Sequence, residues 1–126
     1  MDENRPIFQQ IAEQIENDII SGVLPEETQV PSTNEFAAFH RINPATAGKG
    51  VNLLVDTGIL YKKRGIGMFV ATGARSRLVA ERRENFRDQF VAPLLAEARN
   101  LGIDTAQIIS LINDTTITDT TKETGS

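Results

Sequence analysis

The chain has no cysteine, no tryptophan, one tyrosine and one histidine in 126 residues. Without cysteine there is no disulfide, no thiol nucleophile, no thiolate zinc site and no iron–sulfur cluster. A lone His40 excludes a multi-histidine metal site and the paired-histidine motif of metalloproteases. No apolar run approaches the roughly 20 residues that span a bilayer. The opening MDENRP is polar and acidic, unlike a secretory signal. A cytoplasmic protein with no membrane attachment is expected. Phosphate-binding glycine loops and the GxSxG nucleophile elbow are absent from the sequence. The carboxylate pairs Glu13/Glu16 and Glu26/Glu27 read as a polar helix face and a turn. Neither an enzyme nor a cofactor is expected.

What is present supports a packed core. Apolar residues make up 40% and charged residues 24%, which fits one domain, or one small domain with an appendage. Thirteen Lys and Arg face seventeen Asp and Glu, for a net charge of −4. Taken alone, that balance argues against non-specific binding to nucleic acid or anionic membranes. The charges are segregated, however. Acidic residues crowd the stretch before residue 30. Between 36 and 73 the basic residues Arg41, Lys49, Lys62, Lys63 and Arg64 face a single acid, Asp56.

Helical periodicity begins at Pro6 and runs to residue 21, with Ile7, Ile11, Ile15 and Ile19 on one side and Phe8 and Ala12 beside them. Gly22 suits the helix C-terminus, and VLPEETQVP reads as a loop. Ser32-Thr33-Asn34-Glu35 is a capping box, predicting a short helix over 32–39 with Phe36, Ala37 and Phe39 as core candidates. After the turn His40-Arg41-Ile42, Asn43 caps and Pro44 opens a helix over 44–57. Ala47, Val51, Leu54 and Val55 lie on its core side, with residues 46, 49 and 52 opposite. Two β-type runs, 59–62 and 68–70, flank the glycine-rich tip Arg64-Gly65-Ile66-Gly67. A two-stranded ribbon is barely stable alone, so it must pack on the helices.

A further helical pattern covers 75–100, where Pro93 should kink or interrupt it near residue 90. Asp104 or Thr105 then caps a short final helix carrying Ile108, Ile109, Leu111 and Ile112. The threonine-rich end reads as a loose polar tail. The expected fold is mainly α with a small β-hairpin. It comprises a winged helix-turn-helix domain over 1–73 and a helical dimerisation region with a polar tail over 74–126.

The order helix, short helix, tight turn, capped helix, hairpin has a docking logic. A helix fits the DNA major groove with its first residues at base edges. A capped helix N-terminus suits a phosphate, and a basic hairpin with a glycine tip can follow the backbone or enter the minor groove. Lys49 on the 44–57 helix and Lys62, Lys63 and Arg64 on the hairpin match that scheme.

The residues resemble the winged helix-turn-helix domain of GntR-family bacterial transcription regulators across nearly all of 6–70. The marks occur in order: P-I-x-x-Q-I, S-G-x-L-P, P-S-x-x-E-F-A, N-x-x-T and R-G-x-G-x-F-V. The N-P-A-T form and the later P-L-L-x-E-A-x-x-L-G-I are similar to the YtrA-type subfamily. The resemblance to that subfamily implies a dimerisation region of two helices in about fifty residues. Many GntR regulators carry Arg where this chain has Asn34 and Pro44, so those contacts do not transfer. Gly is usual where Arg41 stands; a positive φ there would cost about 1 kcal/mol for a non-glycine residue. Gly48 and Gly50, inside the recognition helix, each cost about 1 kcal/mol against Ala. They read as close approach to DNA, relief of packing on the first helix, or tolerated drift.

The resemblance implies a DNA-binding set of Ser32, Thr33, Asn43, Ala45, Thr46, Lys49, Lys62, Arg64, Gly65 and Gly67; Arg41, where this chain departs from the family, is added as a candidate contact, with simple exposure as the alternative. Ser32 and Asn43 also cap their helices. Lys62 and Lys63 alternate along their strand, so only one is expected to face DNA. His40 reads as a turn residue. Phe86, Phe90, Leu94, Leu95, Ile108 and Ile112 are too many apolar groups for a small helix pair to hide. They form the expected two-fold dimer interface. The expected function is a homodimeric repressor of a palindromic double-stranded operator, with room for a small-molecule effector. The alternative is a protein-interaction adaptor reusing a winged helix.

Overall fold

The computed structural model describes residues 4–125, with side chains through residue 115. Six helices and one hairpin follow in order: α1 (Ile7–Ser21), α2 (Thr33–His40), α3 (Pro44–Asp56), β1 (Leu60–Lys63), β2 (Gly67–Val70), α4 (Ala74–Phe86), α5 (Ala92–Asn100) and α6 (Thr105–Gly125). A π-helical turn, Arg87–Val91, separates α4 from α5. The chain divides into two compact units, one up to Arg82 and one from Arg83.

In the first unit, α1 buries Ile11, Ala12, Ile15 and Ile19; Ile7, in the exposed first turn, stays 45% accessible. This stripe packs with Phe36 and Ala37 of α2 and with Ala47, Val51 and Leu54 of α3. Each fully buried Ile or Leu stabilises the fold by about 1.5–3 kcal/mol. The crossing of α1 and α3 is closest at Gly50. A Cβ there would stand 2.7 Å from the Phe8 carbonyl oxygen and 2.9 Å from Ile11 Cγ2. Of the readings open for Gly50, packing on the first helix is therefore the operative one. A Cβ at Gly48 would meet only Thr33 Cγ2, at an ordinary 3.5 Å.

Phe39 is not a core residue; it is 83% exposed. At about 100° per residue, a core face centred on Phe36, Ala37 and His40 leaves position 39 on the flank of so short a helix. The half-buried His40 takes the inner place, its ring centroid 4.3 Å from that of Phe36. Arg41 ends α2 in the left-handed conformation, φ 56°. Ile42 N–H donates to Ala37 O at 3.0 Å and closes the turn.

The hairpin pairs Leu60 with Val70 and Lys63 with Gly67 in antiparallel register. Leu60 and Val70 are buried in the helical core and anchor the ribbon. The loop before α2 also does more than connect. Gln29 pairs with Phe69, Val30 N–H donates to Met68 O at 2.9 Å, and Val70 N–H donates to Thr28 O at 3.0 Å. This third edge relieves the marginal stability of a two-stranded sheet. Ala74 and Leu78 of α4 complete the same core, and Arg75 Nε donates to Ile20 O at 2.9 Å.

In the second unit, the interruption expected at Pro93 takes the form of the π-helical turn. Ala92 N–H donates to Arg87 O, five residues back. Proline cannot donate and its ring crowds the preceding turn; a wider turn just before it accommodates both effects. Asp104 caps α6. Its Oδ1 accepts from Gln107 N–H and its own N–H donates to Gln107 Oε1, both at 2.9 Å. The expected short helix and loose tail need correction, because α6 continues to Gly125. Threonine and aspartate cost the helix only up to about 0.7 kcal/mol each, and no proline interrupts the run. Ala98 and Ile108 are buried within this unit. Beside them, α5 and α6 frame an apolar groove of about 340 Å³, lined mainly by Leu94, Leu101, Ile103, Leu111 and Ile112.

Candidate nucleic-acid interface

The first unit holds all the residues expected to touch DNA, and none of them is buried. Ser32 Oγ accepts from Glu35 N–H, and Glu35 Oε1 accepts from Ser32 N–H, each at 3.1 Å. These bonds hold the Glu35 carboxyl below its usual range. Thr33 follows at the first position of α2, its Cγ2 3.5 Å from where a Cβ on Gly48 of α3 would stand. Asn43 Oδ1 accepts from Ala45 N–H at 2.7 Å. Its amide N–H₂ is not needed for the cap. Ala45 and Thr46 occupy the first turn of α3, exposed and half-exposed respectively.

Lys49 is exposed, but its ammonium lies 4.1 Å from the ring centroid of Phe8 on α1. A cation over a ring face is held by the ring quadrupole. Sequence reasoning gave no hint of this contact, because Phe8 read only as a companion of the α1 stripe. On the hairpin the two lysines part company. Lys63 shares a face with Tyr61 and Phe69, its Nζ 4.3 Å from the Phe69 centroid. Lys62 alternates to the other face and is exposed. Arg64 and Gly65 are exposed at the tip. Gly67 has φ 143°, a conformation suited to glycine. A Cβ on it would stand 2.5 Å from Gln29 Nε2.

Two residues at the wing escaped sequence reading. Glu27 is no mere solvated carboxylate; it accepts from Tyr61 Oη and Thr72 Oγ1, each at 2.5 Å. The Thr72 and Tyr61 hydrogen bonds hold its carboxyl below the usual range and push the Tyr61 phenol up. Gln29 Nε2 donates to Ile66 O at 2.9 Å. All three partners lie more than thirty residues away in sequence, so no local pattern could announce them.

Of the residues expected at a dimer interface, Phe86, Phe90, Leu94, Leu95 and Ile112 are between 44% and 61% exposed. Ile108 is only 7% exposed, so it supports this face from inside. The rings of Phe86 and Phe90 lie against each other with centroids 5.5 Å apart, tilted by 44°. Among the described residues there is no group of acidic, histidine or cysteine side chains able to hold a metal. No helix among them is long and apolar enough to cross a membrane.

A three-helix bundle with a short capped second helix, a third helix that keeps one face exposed and a basic hairpin is a winged helix-turn-helix module. Residues 7–70 match the family described as bacterial regulatory proteins of the gntR family. The chain belongs to the GntR family, whose members are transcription regulators and not enzymes. It is 26% identical over 109 residues to the HTH-type transcriptional repressor YtrA of Bacillus subtilis strain 168, covering 86% of this chain and 83% of that one. A GntR-family regulator from Bacteroides thetaiotaomicron has the same fold at a TM-score of 0.70 and 32% identity, over 90% of this chain and 98% of the other. The N-terminal domain of AraR, solved in complex with mutant ORR3, matches at a TM-score of 0.52 and 30% identity. That match covers 56% of this chain and all of that one.

Proposed function

We propose that the chain is a cytoplasmic, homodimeric repressor that binds a palindromic operator through the 44–57 recognition helix and the 59–70 wing. The observation that carries this reading is the exposure of Lys49, Lys62 and Arg64, with the half-exposed Thr46, on a module whose two helix starts are capped by Ser32 and Asn43. The caps leave hydroxyl and amide donors for phosphates, and the lysines and arginine suit guanine acceptors or the backbone. Arg64 at the tip suits the negative potential of a narrow minor groove. In this reading residues 1–73 bind DNA and residues 74–126 pair two chains. The exposed face of Phe86, Phe90, Leu94, Leu95 and Ile112 is the contact, and two-fold pairing sets two recognition helices one DNA turn apart. The repressor role follows the naming of YtrA. The test is a gel-shift titration against a palindromic fragment from upstream of the chain's own gene. Binding is expected to weaken with salt and to be lost in the Lys49→Ala, Arg64→Ala double variant. Undiminished binding by that variant would reject the assigned contacts.

A further inference from the structure

A short segment between α1 and α2 grips the wing at both ends. At the base, Glu27 N–H donates to Val70 O at 2.8 Å. The Glu27 carboxylate accepts from Tyr61 on β1 and from Thr72 just beyond β2. Near the tip, Gln29 pairs with Phe69 and donates its side-chain N–H to Ile66 O. Gly67 leaves open the side on which Gln29 enters, since any Cβ there would collide with it.

Glu27 holds this place at a conformational cost. Its φ is 63°, a left-handed conformation that disfavours any residue with a side chain. Glycine would occupy the turn without strain but would carry no carboxylate. A ribbon held only by its own two strands is marginal and would swing. Binding would then have to immobilise it, and pre-organisation removes that loss.

We propose that Glu27 and Gln29 are positioning residues for DNA binding, a clamp that fixes the pitch at which the wing presents Arg64 and Gly65 to the duplex. This rests on the DNA-binding reading above. Neither residue touches DNA in the proposal; each acts through the wing. The Thr72 and Tyr61 hydrogen bonds hold the Glu27 carboxyl below its ordinary range, and an ionised carboxylate is a stronger acceptor than a neutral oxygen.

The experiment uses the full chain and a duplex that the wild-type protein enriches from a random-sequence pool. Protection from hydroxyl radicals that is lost in Arg64→Ala defines the wing's footprint. Glu27→Gly removes both the carboxylate and the backbone strain. It is expected to keep the thermal midpoint while weakening affinity about tenfold and blurring the wing's footprint. Glu27→Gln, which still offers an acceptor oxygen to a hydroxyl, restores most of both. Gln29→Ala gives a smaller loss. Wild-type affinity and footprint in Glu27→Gly would overturn the clamp. If that variant fails to fold, Tyr61→Phe and Thr72→Val each delete one donor, and unchanged footprints in both would overturn it equally. Should the wild-type chain enrich no duplex, the DNA-binding reading itself fails.

Discussion

The two units bury their apolar residues to very different extents. The first closes Ile11, Ile19, Val51, Leu54, Leu60 and Val70 in one core, each at most 2% exposed. The second buries Ala98 and Ile108 but leaves Phe86, Phe90, Leu94, Leu101, Leu111 and Ile112 between 46% and 64% exposed. Apolar groups left in water on this scale mark an interaction surface. The first unit therefore has the contacts to hold itself together, whereas the second has the periodicity of a helix pair that is completed by something else. The contrast follows the division of labour proposed for them, one reading DNA and one pairing chains.

The largest effect should come from charging the second unit's open face. Phe90→Glu with Leu94→Glu is expected to give a monomer in sedimentation equilibrium. Operator affinity should fall by about a hundredfold or more, because two linked half-site contacts become one. The first unit's thermal unfolding should be unchanged. A variant that remained dimeric would show that this face is not the interface and would break the comparison.

Much of the first unit was legible because its signals are local. The Ser32–Glu35 box and the Asn43-Pro44 start are written within a few residues of each helix, and the structure forms both. The glycine-tipped hairpin likewise announces itself, with strand ends displaced by a residue. Features set by tertiary direction were not legible. Phe39 carries the same apolar signal as Phe36 but points away, because the axis of α2 and not its composition chooses the buried face. Glu27 reads as half of a solvated acidic pair until the fold brings Tyr61 and Thr72 to it from 34 and 45 residues away. In the second unit Pro93 marked the interruption, but only the chain's own hydrogen bonding determines that the break is a π-helical turn.

Next in size are two glycines one helical step apart in role. Gly50→Ala places a methyl group against the Phe8 backbone. Prising α1 from α3 should destabilise the first unit by about 1–3 kcal/mol, outweighing the gain of about 1 kcal/mol in helix propensity. Gly48→Ala meets no such obstacle and should stabilise by up to about 1 kcal/mol. Urea unfolding of both variants measures the difference. Outcomes of opposite sign sharpen the picture of a unit closed by one specific helix contact. Destabilisation by both would mean that α3 is less tolerant than its geometry indicates.

The smallest effect concerns a carboxylate at the edge of the first unit's packing. Glu16 lines a cleft of about 250 Å³ with Gln9, Ala12, Leu53, Leu54 and Thr57. Burial is the main influence on it and raises its pKa above the ordinary 4.5; Arg82 opposes the shift, and Glu13 and Glu81 add to it. Glu13 in turn is paired with Arg5. A raised native value means that the folded chain binds this proton more tightly than the unfolded one. Glu16's contribution therefore favours folding below the ordinary carboxylate range and is lost as pH rises through the raised value. Glu16→Gln removes the charge and its desolvation. It should be more stable than the wild type in urea at pH 7, and the advantage should shrink near pH 4. Glu16 is only partly buried, so the gain is modest, below that of Gly48→Ala. An advantage that failed to shrink on acidification would mean that side-chain shape, and not the buried charge, limits the packing of α1 at this edge.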